Sequence, residues 1–410
     1  MVAKKRILLH NKLKMSELQP KINKPIILIF STAYLPLTGG AELAIKYITD
    51  NLAENFDFVL FTARFSRSLS RFERIGAVEI HRIGFGLPLD KYLLPVLGYL
   101  KARRLIHNYK PTANSYRLIL WGMMASYGSI AAYFLKKRSP EAKFLLTLQE
   151  GDSQEYLEKG RLGLMGFWLA RLVKTADKVQ TISFYLKRLA VKHGASFNET
   201  EVVPNGVDLN IFNKNVSSEE LRELKIRHGI TDKQKVVITA SRLVYKNAVD
   251  VLIKAMNEIS DAHLFIAGTG PDESKLKNLA EELKIIARIH FMGDMTHDAL
   301  SKYYALAHVF ARPSRSEGLG SAFLEAMGAG LPVIGTNVGG IPDFLKHNET
   351  GLFCEIDNPC DLAAKIKRLI HDEGFRKNIS AEGRKLAREN YSWDKITQKM
   401  SAIFFRLLRP

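Results

Sequence analysis

The chain has 410 residues, 46% of them apolar and 25% charged, and carries a formal net charge of +18. That length excludes one ordinary core and leads to an expectation of two domains in a soluble globular protein. Cys354 and Cys360 are the only cysteines and do not form a CxxC pair, which argues against zinc or dithiol chemistry and fits a reducing compartment. The charge is uneven. Residues 1–205 hold 31 Lys and Arg against 16 Asp and Glu (+15), and residues 206–410 hold 29 against 26 (+3). A half-chain this basic points to an anionic partner: nucleic acid, a membrane surface or lipid phosphate.

Residues 1–24 read as a basic extension, surface-bound or partly disordered. They have no apolar core long enough for a signal peptide. Ile26–Phe30 is apolar at every position, as in a parallel strand covered on both faces. The following turn carries Gly39-Gly40 at the start of a helix whose apolar face is Ala41, Ile45, Ile48 and Leu52. Such a turn is either plain punctuation or a phosphate seat. Strand runs follow at Phe58–Phe61, Val78–Ile80 and Phe144–Thr147. Leu118–Leu135 is uncharged over roughly a membrane-spanning length. It reads as a buried strand turning at Gly122 into a packed helix, with a transmembrane helix as the alternative. Tyr92–Tyr109 and Arg161–Lys174 are basic and apolar, suited to surface helices or to a membrane interface.

The second half alternates strand and helix: strands at Val236–Ala240, Leu264–Ala267, Ile289–Phe291 and Val309–Ala311, helices at Ala248–Ile259, Glu273–Leu283 and Asp298–Ala307. Repeated βα units imply parallel sheets with right-handed crossovers and ligands at the carboxyl ends of the strands. The densest stretch runs from Arg312 to Asp343. Pro313 ends a strand, and Glu317-Gly318-Leu319-Gly320 forms a loop able to approach a ligand closely. A helix runs from Ser321 to a stop at Gly330 and Pro332, and Val333–Thr336 is a strand. The backbone N–H groups of Leu319, Gly320 and Ser321 are then free at a helix start, flanked by the carboxylates of Glu317 and Glu325. Amides beside acceptor-only carboxylates suit a ligand rich in phosphate and hydroxyls. A helical stretch at Asp361–Ile370 and a last helix after Tyr391-Ser392-Trp393-Asp394 close the chain.

Glu317, Glu325, the AGLPVI stop and Gly339-Gly340-Ile341-Pro342-Asp343 together resemble the signature of family 4 glycosyltransferases, retaining enzymes of the GT-B fold. The resemblance covers roughly residues 25–400. It implies two Rossmann-like doubly wound α/β domains facing a central cleft. An N-terminal acceptor-binding domain is expected at 25–206 and a nucleotide-sugar-binding domain at 207–391. Residues 392–410 would form a helix crossing back to the first domain. Val203-Pro204-Asn205-Gly206-Val207-Asp208 matches the family's interdomain turn. By resemblance, Glu317 lies against the donor sugar and Glu325 grips the ribose. Gly39-Gly40 approaches the diphosphate, as do Gly318, Leu319, Gly320 and Ser321, while the loop at Met292 holds the base. Arg242 and Lys246 are the expected cations on the diphosphate.

Two departures stand out. Gln149 occupies a position where relatives place a His near the donor sugar; as a donor-binding residue Gln can hydrogen-bond a sugar hydroxyl but cannot carry a proton. Asn247 occupies the usual Lys position, with Lys246 one residue earlier. Asn247 is expected to N-cap the helix starting at Ala248. Lys246 then either reaches the diphosphate on its flexible stem or points to solvent. No Asp-x-Asp pair or other metal-ligand cluster is evident, so a metal-independent reaction with no cofactor is expected. The implied donor is a UDP- or GDP-linked sugar and the acceptor a glycan or lipid-linked group such as a polyprenyl phosphate. The implied setting is cytoplasmic, free or peripheral on the inner membrane face. A dinucleotide-dependent oxidoreductase is the enzyme alternative, but Phe323 stands where the third Gly of its fingerprint belongs. A basic nucleic-acid-binding protein would explain the charge, yet no recognition motif appears and no nucleic-acid partner is expected.

Overall fold

A computed structural model describes residues 24–108, 118–160 and 163–409. The basic extension before residue 24 and part of the basic stretch that begins at Arg161 lie outside the described residues.

Two sheets organise the chain. The first has eight strands: β1 (Ile26–Phe30), β2 (Asp57–Ala63), β3 (Phe72–Ile75), β4 (Val78–Ile83), β5 (Leu118–Met123), β6 (Lys143–Leu148), β7 (Lys178–Thr181) and β8 (Thr200–Val202). Their order is β3-β4-β2-β1-β5-β6-β7-β8. All neighbours are parallel except the antiparallel pair β3–β4. The second sheet has six parallel strands: β9 (Lys235–Ala240), β10 (Ala262–Ala267), β11 (Ile289–Gly293), β12 (Val309–Arg312), β13 (Val333–Thr336) and β14 (Leu352–Cys354), in the order β11-β10-β9-β12-β13-β14.

The apolar runs read from sequence are the central strands because both their faces are covered. Ile27 and Ile29 of β1 face the helices 40–51 and 393–408, whereas Leu28 and Phe30 face the helices 127–138 and 164–175. The second sheet repeats this arrangement. Val237 and Ile266 pack on the helices 249–256 and 359–371, and Ile238 and Phe265 on the opposite side with Tyr303 and Phe323. The edge strand β3 escaped the sequence reading because its residues alternate between exposed and half-buried, with no continuous apolar run. The helix Glu373–Asn390 was also missed, since its eighteen residues bury only Ile379, Gly383 and Ala387.

Leu118–Leu135 divides as the buried-strand reading expects, into β5 and the helix Tyr127–Arg138. Its small residues serve close packing. A Cβ on Gly128 would lie 2.9 Å from the backbone of Phe30 and Ser31, so this helix rides directly on β1. Among the described residues no helix is long and apolar enough to cross a membrane.

The last helix, Trp393–Leu408, belongs to the core of the first sheet. Phe404 is fully buried and meets Trp121 of β5 and Phe56 edge-on, with ring centroids 5.3 and 5.4 Å away. Trp393 sits on Gly206, where a Cβ would come within 2.6 Å of the indole, and Tyr47 stacks on the same indole at 4.8 Å. Val207 N–H donates to the Tyr391 carbonyl at 2.7 Å, tying the crossover into the second half to the crossover back. Phe404→Ala should therefore cost about 3–5 kcal/mol of stability, seen as a lower denaturation midpoint, while the exposed neighbour change Phe405→Ala should cost much less.

Candidate active site

The carboxyl ends of β1, β9, β10, β11 and β12 open into one cleft of about 1280 Å³ between the two sheets. The first half contributes Gly39, Gly40, Glu42 and Tyr47, and the second Arg242, Gly268-Thr269-Gly270, Asp294-Met295, His297, Ser321 and Glu325. Gly39 caps the helix Gly40–Asn51 with extended backbone, turning that helix start toward the cleft.

Across from it, Gly320 begins the helix Ser321–Gly328 in the left-handed region, φ 94° and ψ 61°, a conformation glycine adopts without strain. Among the described residues the N–H groups of Leu319, Gly320 and Ser321 have no protein acceptor. Arg242 is exposed on the cleft wall, and its guanidinium makes no hydrogen bond or ion pair among the described residues. Glu325 also lines the cleft. Burial pushes its carboxyl above the usual range, opposed by His297, whose Nε2 lies 3.8 Å from Oε1, and by Arg312.

Glu317 is placed differently from Glu325. It is not among the residues lining the cleft; its side chain pairs with the largely buried Arg312 guanidinium, and Oε1 accepts the Gly318 N–H at 3.1 Å. The same Arg312 nitrogen donates to Asn247 Oδ1 at 3.1 Å. This corrects the expected role of Asn247. The helix starts at Val249, and its N-cap is Ala248 in the left-handed region at φ 53°. Asn247 is buried one residue earlier, at the end of the 3₁₀ turn Tyr245–Asn247. Its Nδ2 donates to the Arg242 carbonyl at 2.6 Å, so it braces the loop that presents Arg242. The amide's value here is reach in both directions, as donor to a backbone carbonyl and acceptor from Arg312.

Lys246 does not point freely to solvent. Its Nζ lies 2.9 Å from Asp152 Oδ1, in the first half of the chain. Gln149 is turned to Asn205, accepting from Nδ2 at 3.0 Å, and it is Asn205 that reaches the cleft wall. Met292 packs on the core, and the next residues of its loop, Asp294 and Met295, line the cleft. Sequence reasoning passed over Arg312, His297, Asp152 and the Tyr47–Asp208 hydrogen bond of 3.0 Å beside the cleft. Only the strand-end position of Arg312 hinted at its place. Among the described residues no group of three or more His, Cys, Asp or Glu is arranged to hold a metal ion.

The fold and the cleft define a class, the GT-B glycosyltransferases: two Rossmann-like sheets whose carboxyl ends face each other across an amide- and carboxylate-bearing groove. The model described as "Glycosyltransferase Family 4" matches residues 38–211, and "Glycosyl transferases group 1" matches residues 221–386. Together they cover every strand but β1, and the chain belongs to family 4 of the glycosyltransferases. An uncharacterised glycosyltransferase of Methanocaldococcus jannaschii is 33% identical over 210 residues, 50% of this chain and 54% of that protein. The GDP-mannose-dependent alpha-(1-6)-phosphatidylinositol monomannoside mannosyltransferase of Mycobacterium tuberculosis is 32% identical over 245 residues, 57% of this chain and 63% of that one. The chain thus spans less than two thirds of these relatives' length. Among solved structures, Anabaena Alr3699/HepE in complex with UDP and glucose superposes with a TM-score of 0.77 at 19% identity, over 93% of this chain and 99% of that one.

One buried group behind the site offers a check on this arrangement. Glu150 is buried, its Oε1 accepting the Ala125 N–H at 2.5 Å and its Oε2 without a partner among the described residues. Burial raises its pKa, so the folded state holds the proton more tightly than the unfolded chain. Stability is then lost as pH rises through the raised pKa. Glu150→Gln keeps the acceptor and removes the titration. It should melt higher than the parent above neutral pH, with the gap shrinking at mildly acid pH.

Proposed function

We propose that this chain transfers a sugar, with retention, from a UDP- or GDP-linked donor to a glycan or lipid-linked acceptor, without a divalent metal. The observation that carries the reading is one cleft holding Glu325, Arg242 and Ser321 opposite the Gly39-Gly40 turn, with the unengaged amides of Leu319, Gly320 and Ser321 at the helix start beside it. The amides, at a helix start, and Arg242 suit the diphosphate, and Glu325 suits the ribose hydroxyls. A departing diphosphate gains negative charge. Donors held in place before the reaction stabilise that charge without reorganising. Glu317, fixed by Arg312 and the Gly318 N–H, presents a carboxylate whose orientation is set in advance for the sugar. UDP in the Anabaena structure and GDP-mannose in the mycobacterial name support a nucleotide-linked donor.

The test is nucleoside diphosphate release from a panel of sugar nucleotides, with and without EDTA. Release from at least one donor, unchanged by EDTA, is expected. Loss with EDTA and recovery with manganese would refute metal independence. Within that assay, Glu325→Ala should chiefly raise donor KM, since the ribose contact is made equally in ground and transition states. Glu317→Ala should chiefly lower kcat. Equal effects of the two changes on donor affinity alone would sink this division of labour.

The acceptor side of the reading is a lipid-linked group at an anionic membrane surface. Leu89, Tyr92, Val96 and Leu100 are exposed along the first half, beside Lys91, Lys101, Arg103 and Arg104. Tyr99, Phe134, Trp168 and Phe167 continue this surface in edge-to-face contacts, with Arg171 over the Phe167 ring at 4.5 Å. Apolar side chains among cations suit an anionic bilayer, through partial insertion and salt-screened attraction. Flotation with vesicles should rise with phosphatidylglycerol content and fall with salt. Leu89→Asp with Val96→Asp should abolish it, and binding indifferent to both lipid charge and salt would refute it.

A further inference from the structure

The turn after β6, Glu150-Gly151-Asp152, is pressed against the loop that carries Glu317. Ser316 Oγ donates to the Gly151 carbonyl at 3.1 Å, and a Cβ on Gly318 would lie 2.5 Å from the Glu150 carbonyl oxygen. A Cβ on Gly151 would lie 3.2 Å from Lys246 Nζ, 3.5 Å from Gly318 N and 3.6 Å from Glu317 Oε1. An ammonium, an amide and a carboxylate therefore surround one point that only the missing side chain of Gly151 leaves open. On this same point Lys246 is held by Asp152. Among the described residues no other ion pair joins the first sheet and its helices to the second.

We infer that Asp152 is a positioning residue for the transfer, holding the Lys246 ammonium from the other half of the chain, beside Glu317, so that its remaining protons face the leaving diphosphate. The inference rests on the transferase reading above. Three observations support it. The backbone carbonyl of Lys246 accepts the Arg315 N–H at 2.7 Å, so the residue's main chain is tied to the approach to Glu317. The next residue, Asn247, is joined through Arg312 to Glu317 itself. The two partners are 35% and 39% exposed, and a pair so open to water adds little to folding stability. What the pair does specify is direction. An ammonium has three donors, and one engaged by Asp152 leaves two for phosphate oxygens. Without Asp152 the flexible Lys stem has Glu317 as the carboxylate flanking the same point, and pairing there would neutralise the carboxylate facing the sugar.

The experiment has an activity arm and a labelling arm. With the sugar nucleotide that the parent turns over, Asp152→Ala and Asp152→Asn should each lower kcat roughly ten- to hundredfold through misplacement of the ammonium. Donor KM should stay within a few fold, because Glu325, Arg242 and the amides are untouched. Asp152→Glu should restore part of kcat. A kcat near the parental value in both Ala and Asn variants would overturn the inference. So would a loss confined to KM, which would make Asp152 a donor contact. The second arm needs no turnover. Acetylation of Lys246 by an N-hydroxysuccinimide ester, followed by mass spectrometry, should be several-fold faster in Asp152→Ala than in the parent. Equal rates would overturn the pairing. If the parent releases nucleoside diphosphate from no sugar in the panel, the transferase reading fails, and the labelling rates still decide whether Asp152 holds Lys246.

Discussion

The cleft depends on how two largely parallel sheets are held with their carboxyl ends toward each other, and that alignment is fixed where the chain crosses between them twice. Gly206, lacking a side chain, lets Trp393 seat on the outgoing crossover, and Val207 bonds to the Tyr391 carbonyl of the returning one. Tyr47 stacks on Trp393 and donates to Asp208, so the first helix after β1 is locked to the same joint. The last helix then buries Ile396, Met400, Ile403 and Phe404 against the first sheet. Apolar burial anchors the joint, and the polar groups in front of it inherit their positions.

At the cleft itself the charges are sorted by burial. The carboxyls of Glu42 and Glu325 on its wall, and of Glu150 behind it, are pushed up by desolvation, whereas Arg242 is exposed with its full donor set free. Glu317 is compensated by the neighbouring Arg312, and its orientation is set by two donors. A site for an anionic, hydroxyl-rich ligand thus presents an unpaired cation, Arg242, at its wall and oriented acceptors beside it. The closeness of the 150–152 turn to the 316–318 loop makes the two halves share a wall, so a group on one sheet sets the geometry of a group on the other.

How much of this was legible beforehand follows from the range over which each signal acts. Continuous apolar runs announced β1, β5, β9 and β10, because a strand covered on both faces has no polar positions. The edge strand β3 and the polar helix 373–390 bury too little to leave such a pattern. Asn247 was misread for a local reason. An Asn before an apolar helical run looks like a cap, but the 3₁₀ turn and the left-handed Ala248 shift the helix by one residue and send the amide inward to Arg242 and Arg312.

By itself the sequence determined the alternation of strand and helix, the glycine turns at strand ends, and the spacing of Glu317 and Glu325 on loop and helix. Each of these is encoded in residues a few positions apart, where propensity and periodicity act directly. Only the tertiary structure decided which polar groups meet. Asp152 and Lys246 are 94 residues apart, as are Gln149 and Asn205 by 56, and Arg312 faces both Asn247 and Glu317. Such pairings depend on where two sheets come to rest against each other, a distance set by packing of side chains far from the pair and absent from any local stretch of chain.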